Sequence, residues 1–241
     1  MGEKRHARKT NGQSTLVAGI ITRLAQVVIL LIVQGVILFI SAGSISWRWA
    51  WAFLGIYLVG MIINGFFIMR INPETVAERG RAKLTKDWDK VVGGLWSLVQ
   101  FLILPMVAGL DERFTWTRGL ATNWNIAGAV AFAAGLEMFS WAMIANAYFS
   151  TVARIQKERG QTVCKNGPYR FVRHPGYLGA IMQSLAIPLL LGSLWALIPG
   201  VLAAGLMIAR TSFEDRMLQE ELSGYAEFRR EVRFRLLPGV W

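Results

Sequence analysis

Residues 177–209 read YLGAIMQSLAIPLLLGSLWALIPGVLAAGLMIA, 33 residues without a single charge. A helical crossing of a hydrocarbon core about 30 Å thick takes about 20 residues. The run is therefore too long for one ordinary span and too apolar for a soluble segment. Gly192-Ser193 in its middle, with Pro188 and Pro199 on either side, is a turn signal. The run predicts a hairpin of two helices, each on the short side for a full crossing.

Working outward, four more apolar runs have the length of a span: Leu16 to Ile40, Trp47 to Met69, Val91 to Leu110 and Trp124 to Phe149. The expected fold is all-α, a polytopic integral membrane bundle of four spans plus the C-terminal two-helix hairpin. The first run is too long for the core of a cleavable signal peptide, and no small-residue cleavage site follows it. No internal repeat or low-complexity segment is present.

Composition agrees. Of 241 residues, 54% are hydrophobic and only 17% charged, against roughly a quarter charged in soluble domains; mean hydropathy is +0.41. This excludes a disordered chain and makes a nucleic-acid binder a poor reading of the +11 net charge. The single cysteine, Cys164, rules out an intramolecular disulfide framework and a cysteine-cluster metal site. With only His6, which sits in the N-terminal tail, and His174, a multi-histidine metal centre is ruled out too. No metal is expected.

The charge is not spread evenly. Lys4, Arg5, Arg8 and Lys9 precede the first span. Six basic residues lie between Arg70 and Lys90, six between Ser150 and Gly176, and six from Arg210 onward. Opposite these 22 stand only Arg48, Arg113 and Arg118. Lys and Arg near span ends favour the cytoplasm, so both termini and both long loops are expected there. The excess charge thus reads as a topology signal. Trp47, Trp49, Trp116 and Trp124 near the outer ends, and Trp88 near an inner one, read as interfacial anchors.

Two cytoplasmic stretches are unusual. The first, Gln156 to Tyr177, is dense in polar, glycine and proline residues, with a turn at Asn166-Gly167-Pro168. His174 precedes Pro175 and is biased to extended backbone, so a helix should start near Pro175 with free N–H groups at its end. The second follows the hairpin. There Arg210 and Glu214 are four apart and share a helical face; spacing alone favours a solvated ion pair. Within the spans, Glu137 and Arg23 are either paired or part of an acceptor pocket.

Together the two stretches resemble the isoprenylcysteine carboxyl methyltransferase and phospholipid methyltransferase family. The resemblance rests on Gly167-Pro168-Tyr169-Arg170, on Arg173-His174-Pro175-Gly176-Tyr177-Leu178-Gly179, and, after the hairpin, on Arg210, Glu214, Met217-Leu218 and Gly224-Tyr225. Phe234-Arg235-Leu236-Leu237-Pro238-Gly239 resembles the family's close. Asn72-Pro73-Glu74 with Ala77-Glu78-Arg79-Gly80 resembles a loop of bacterial members. It is good from about Gln156 to Trp241 and weaker upstream.

The resemblance implies an S-adenosylmethionine-dependent methyltransferase built from membrane helices. It divides the chain into residues 1–155, membrane helices with the acceptor pocket, and 156–241, the methyltransferase core. By the family pattern the cofactor contacts Gln156, Gln161, Thr162, Val163, Cys164, Tyr169, His174, Pro175, Gly176, Tyr177 and Glu214. Arg210, Glu214 and Arg173 stand as catalytic candidates, and Arg210 and Glu137 as substrate-binding ones. The chain departs from the pattern at Gln161, where histidine is common, and at Gly176, where a larger residue is common.

The implied acceptor is lipidic, best an isoprenylcysteine-like carboxylate, which is ionised at pH 7 and needs no base. A phospholipid amine is the alternative. The partners are thus a lipidic or prenylated small molecule and the bilayer itself, with no nucleic acid. Membrane sterol reductases, which use NADPH, carry a similar Arg-His-Pro motif, but the chain's length and its Gly-Pro-Tyr and Arg/Glu matches disfavour them. A non-enzymatic scaffold binding anionic lipid leaves the polar loop unexplained.

Overall fold

The structure is a computed structural model and describes residues 2–81, 85–118 and 120–241. Lys83 of the basic loop lies outside them, as do the side chains of Lys4, Arg5, His6, Arg8, Lys9 and Arg81 and the surroundings of Gly80. Among the described residues all regular structure is helical. The helices are α1 (Gly2–Ala42), α2 (Arg48–Ile71), α3 (Pro73–Arg81), α4 (Asp87–Leu98), α5 (Leu104–Phe114), α6 (Thr122–Ala145), α7 (Pro175–Leu191), α8 (Leu197–Glu221) and α9 (Tyr225–Glu231).

Five segments are long and apolar enough to cross a membrane: Leu16–Ala42, Arg48–Ile71, Asp87–Phe114, Thr122–Ala145 and Leu197–Glu221. The protein is a polytopic helical membrane protein. Helix α7 has 17 residues and is about 25 Å long, short of the hydrocarbon core.

The third span is α4 and α5 joined through a π-helical turn, Val99–Ile103. Pro105 has no N–H to give the carbonyl of Phe101 four residues back. Gln34, buried on α1, fills the gap: its Nε2 donates to the Phe101 carbonyl at 2.5 Å.

The hairpin turns where expected. Gly192 ends α7 with φ +80°, a left-handed position that suits glycine. Ser193 Oγ donates to the carboxylate of Asp111, and Thr117 donates to the same carboxylate through its N–H and its hydroxyl, each at 2.6 Å. Helices α6 and α7 touch backbone to backbone. A Cβ on Gly179 would lie 2.7 Å from the Gly135 carbonyl oxygen, and one on Gly128 would lie 2.3 Å from the Leu190 nitrogen. The main core fills the opposite half of the bundle from the polar loop, around Leu38, Phe53, Leu104, Phe132 and Leu190.

Three expectations change. The fourth span stops at Ala145 rather than Phe149. Asn146 breaks it, its Oδ1 accepting from the Tyr148 N–H at 2.9 Å, and Phe149 is free to turn inward. Helix α8 is not a short hairpin arm; it runs on without a break to Glu221, so Arg210, Glu214 and Asp215 ride on a rod anchored in the bundle. Trp47 is 3% exposed and belongs to the core, not to the interface; the indole anchors α1 and α2 from within.

Candidate functional site

The segment between α6 and α7 is held by a few buried polar residues. Gln156 is fully buried. Its N–H donates to Gln161 Oε1 at 2.7 Å, its Nε2 donates to the Tyr148 carbonyl at 2.7 Å, and its Oε1 accepts from Arg159 at 2.6 Å. Gly167 (φ +57°) opens a single 3-10 turn, Gly167–Arg170, which carries Tyr169 inward, where Asn146 Nδ2 donates to its hydroxyl at 3.3 Å.

The end of the loop is tied to the C-terminal strand of chain. The N–H groups of Arg173 and His174 donate to the carbonyls of Phe234 and Arg235 at 3.0 and 2.9 Å. Below them lies Asp215, wholly buried. It accepts from Arg173 at 2.8 and 3.2 Å, from the Tyr225 hydroxyl at 2.8 Å, from Gln219 at 2.9 Å and from Arg235 at 3.0 Å, and it faces His174 Nε2 at 3.2 Å. Arg173 also donates to the carbonyls of Val232 and Arg233. Asp215 therefore fastens loop, α8, α9 and C-terminus together.

One residue before it, Glu214 points another way, and the Tyr177 hydroxyl donates to it. The Tyr177 ring lies parallel to His174, with ring centres 5.7 Å apart, and the Arg210 guanidinium sits 5.3 Å from its centre. Arg210 does not pair with Glu214. It donates to Asp89 of α4 at 2.7 and 3.1 Å and to the Thr151 carbonyl at 3.1 Å. Asp89 also accepts from the Ala153 N–H at 2.7 Å, so a buried ion pair pins the loop to α4 and α8.

These elements surround an open-mouthed pocket at the end of the bundle that carries the loop. Gln161, Thr162, Val163, Cys164, Tyr169, Arg173, His174, Gly176, Tyr177 and Glu214 all line it. Other expected site residues lie elsewhere. Gln156 is behind the wall, Pro175 is buried in the first turn of α7, and Arg210 is beneath Tyr177. Glu137 is exposed on α6. It does not pair with Arg23, whose Nη1 donates instead to Gln26 at 3.3 Å.

Two chemical features mark the pocket. Among the described residues, the backbone N–H groups of Thr162, Val163 and Cys164 have no hydrogen-bond partner, so a ligand edge can pair with them. Two phenols and the thiol of the wall are held neutral. Burial pushes the Tyr169 phenol up, and burial followed by the Asp215 charge does the same for Tyr225. Burial also raises the Cys164 thiol, partly offset by the Asn166 backbone; its Sγ donates to the Ala145 carbonyl at 3.3 Å.

The departure at Gly176 has a structural reason. A Cβ there would lie 2.7 Å from Phe149 Cε2, so the inward-turned ring occupies the volume of the missing side chain. Phe149, Asp89 and Asp215 were not found as site residues from the sequence. Phe149 is hidden in an apolar run, and Asp89 lies 121 residues from Arg210. Asp215 directly follows Glu214, but nothing local sets it apart.

Fold and pocket define an integral membrane protein with a polar ligand site at one end of a helix bundle. Comparison with protein families adds one finding. Residues 128–221 match the isoprenylcysteine carboxyl methyltransferase (ICMT) family, less than half of the chain but a stretch containing most of the pocket wall. The match supports membership of that family, and with it a membrane methyltransferase. No curated protein matches the chain.

Proposed function

We propose that the chain transfers methyl groups from S-adenosylmethionine to a lipidic acceptor, and that the acceptor group is a carboxylate of the isoprenylcysteine kind. The observation that carries this is the pairing of unpartnered main-chain groups at 162–164 with the Glu214–Tyr177 pair across one pocket. The first suits the edge of a nucleobase. The second offers a carboxylate to ribose or amino groups.

S-adenosylmethionine, when bound, supplies a methyl on a sulfonium. The aromatic wall of Tyr169, Tyr177 and Phe149 suits that cation. Arg173 and Arg210 act as positioning residues, since each is committed to a buried carboxylate. A carboxylate acceptor takes the methyl without releasing a proton, and the C–S electron pair returns to sulfur. An amine acceptor needs a base. Glu214 is engaged by Tyr177, and His174 faces Asp215 and Tyr225, which favours the carboxylate over the phospholipid amine. The bias of basic residues favours the cytoplasm for this end of the bundle, where cofactor would enter from water and acceptor from the bilayer.

The test is transfer of labelled methyl from S-adenosylmethionine by the detergent-purified protein, with prenylcysteine acids and whole lipid extracts offered side by side. Base-labile methyl ester on the prenylcysteine is expected. Base-stable label confined to phospholipid would replace the carboxylate by the amine, and no label in either would sink the proposal.

A further inference from the structure

Beside the pocket wall lies a buried cation with no counter-ion among the described residues. Arg79 of α3 is 9% exposed. Among the described residues no carboxylate pairs with it, and its Nη1 is buried with no hydrogen-bond partner. Every other buried arginine of the site has its acid: Arg173 has Asp215, and Arg210 has Asp89. An uncompensated buried charge is among the costliest arrangements a fold can carry. Burial depresses Arg79 well below its ordinary range, and the positive charges of Arg23 and Arg210 depress it further. Arginine nevertheless stays charged in proteins.

The fold fixes Arg79 there deliberately. Helix α3 is docked by Thr75 Oγ1 to the Ala147 carbonyl at 2.7 Å and by the preceding Asn72 to the Ile144 carbonyl at 3.1 Å. It packs against α1 at Gly19, where a Cβ would lie 2.7 Å from the Ala77 carbonyl oxygen. The guanidinium then rests 5.2 Å from the ring centre of Phe149 and 5.7 Å from that of Phe139. Phe149 is the ring that fills the space above Gly176 and lines the pocket. That ring touches both Arg79 and the pocket. A second buried donor without a partner, Asn64 Nδ2, lies on α2 one turn before Ile68; Ile68 packs with Val76 of α3 and Met143 of α6 in a cluster that Phe139 and Phe149 join.

We propose that Arg79, with Asn64 as a neutral donor, receives the anionic group of the lipidic acceptor beside Phe149. The inference rests on the methyltransferase reading and deepens it. Arg79, rather than the already paired Arg210, recognises the acceptor's charge.

The experiment measures binding to the full chain in detergent of four probes: S-adenosylhomocysteine, a farnesylated N-acetylcysteine acid, its neutral carboxamide, and a short-chain phosphatidic acid. Wild-type protein should bind the acid about 10- to 100-fold more tightly than the carboxamide, as a charge-assisted contact requires. Arg79→Gln should erase that preference and leave S-adenosylhomocysteine binding unchanged; Arg79→Lys should keep part of it. A preference for phosphatidic acid that Arg79→Gln erases keeps the anion site and changes its headgroup to a phosphate. An acid preference that survives in Arg79→Gln, or none in wild type for either anion, overturns the inference. Should Arg79→Gln lose S-adenosylhomocysteine through misfolding, an undiminished acid preference in Arg79→Lys and Asn64→Leu overturns it equally. Wild-type protein that fails to bind S-adenosylhomocysteine refutes the cofactor instead, and the acid-to-carboxamide ratio still stands or falls by itself.

Discussion

Glu214 and Asp215 are neighbours on α8, yet about 100° of helical rotation gives them opposite duties. Glu214 faces the pocket; Asp215 gathers Arg173, Arg235 and Tyr225 beneath it. Replacing Asp215 by Asn leaves those guanidinia buried without a counter-charge, and breaking a buried pair costs about 3–5 kcal/mol. Thermal unfolding of Asp215→Asn in detergent should show a loss of that size; a loss under about 1 kcal/mol, the worth of an exposed pair, would remove Asp215 from the role of fastener. Cys164 supports a milder test. Its raised thiol should react with a maleimide more slowly at pH 7 than a free cysteine, gain rate at higher pH as thiolate forms, and be shielded by S-adenosylhomocysteine, since it lines the pocket. Labelling at the free-thiol rate, unaffected by ligand, would contradict both the burial and the site.

The pocket's wall residues were legible because motif and turn signals coincide from Gly167 to Tyr177. Their partners were not. The acid that holds Arg210 comes from α4, and the acid four residues away, which spacing suggested, goes to Tyr177 instead.

At the scale of elements, the joint between α6 and α7 sets the pocket's shape, because the end of α6 leads into Asn146 and Phe149 while the start of α7 carries His174 to Tyr177. Gly135 and Gly179 let the two backbones meet. A methyl at Gly179 must push against main chain rather than a flexible side chain, and overpacking of this kind costs about 1–3 kcal/mol. Gly179→Ala should lower the melting temperature and weaken S-adenosylhomocysteine binding together. A variant that melts like wild type would mean the helices can part freely. The hairpin and the start of α7 were readable from Gly192-Ser193 and His174-Pro175, whose constraints are local. The π turn in the third span was not, because it depends on Gln34 arriving from α1. The end of α6 was misplaced because Phe149 is as apolar as any lipid-facing residue, and only its contacts with Gly176 and Arg79 explain it.

For the molecule as a whole, the +11 charge first suggested only an orientation. The structure divides that basic face into parts. Arg173 and Arg210 are consumed by buried acids, Arg154 is bound to Glu78 and Glu158, and Arg79 has no acidic partner among the described residues. Apolar helices carry these groups to one end of the bundle, where a polar pocket opens. The most direct measurement is a calorimetric titration of the detergent-purified chain with S-adenosylhomocysteine and, separately, with NADPH, repeated on Glu214→Gln. S-adenosylhomocysteine should bind wild type, lose about 10-fold or more in Glu214→Gln as a charged hydrogen bond is removed, and NADPH should give no heat of binding. Binding of NADPH, or S-adenosylhomocysteine affinity indifferent to Glu214, would contradict the assignment of this pocket.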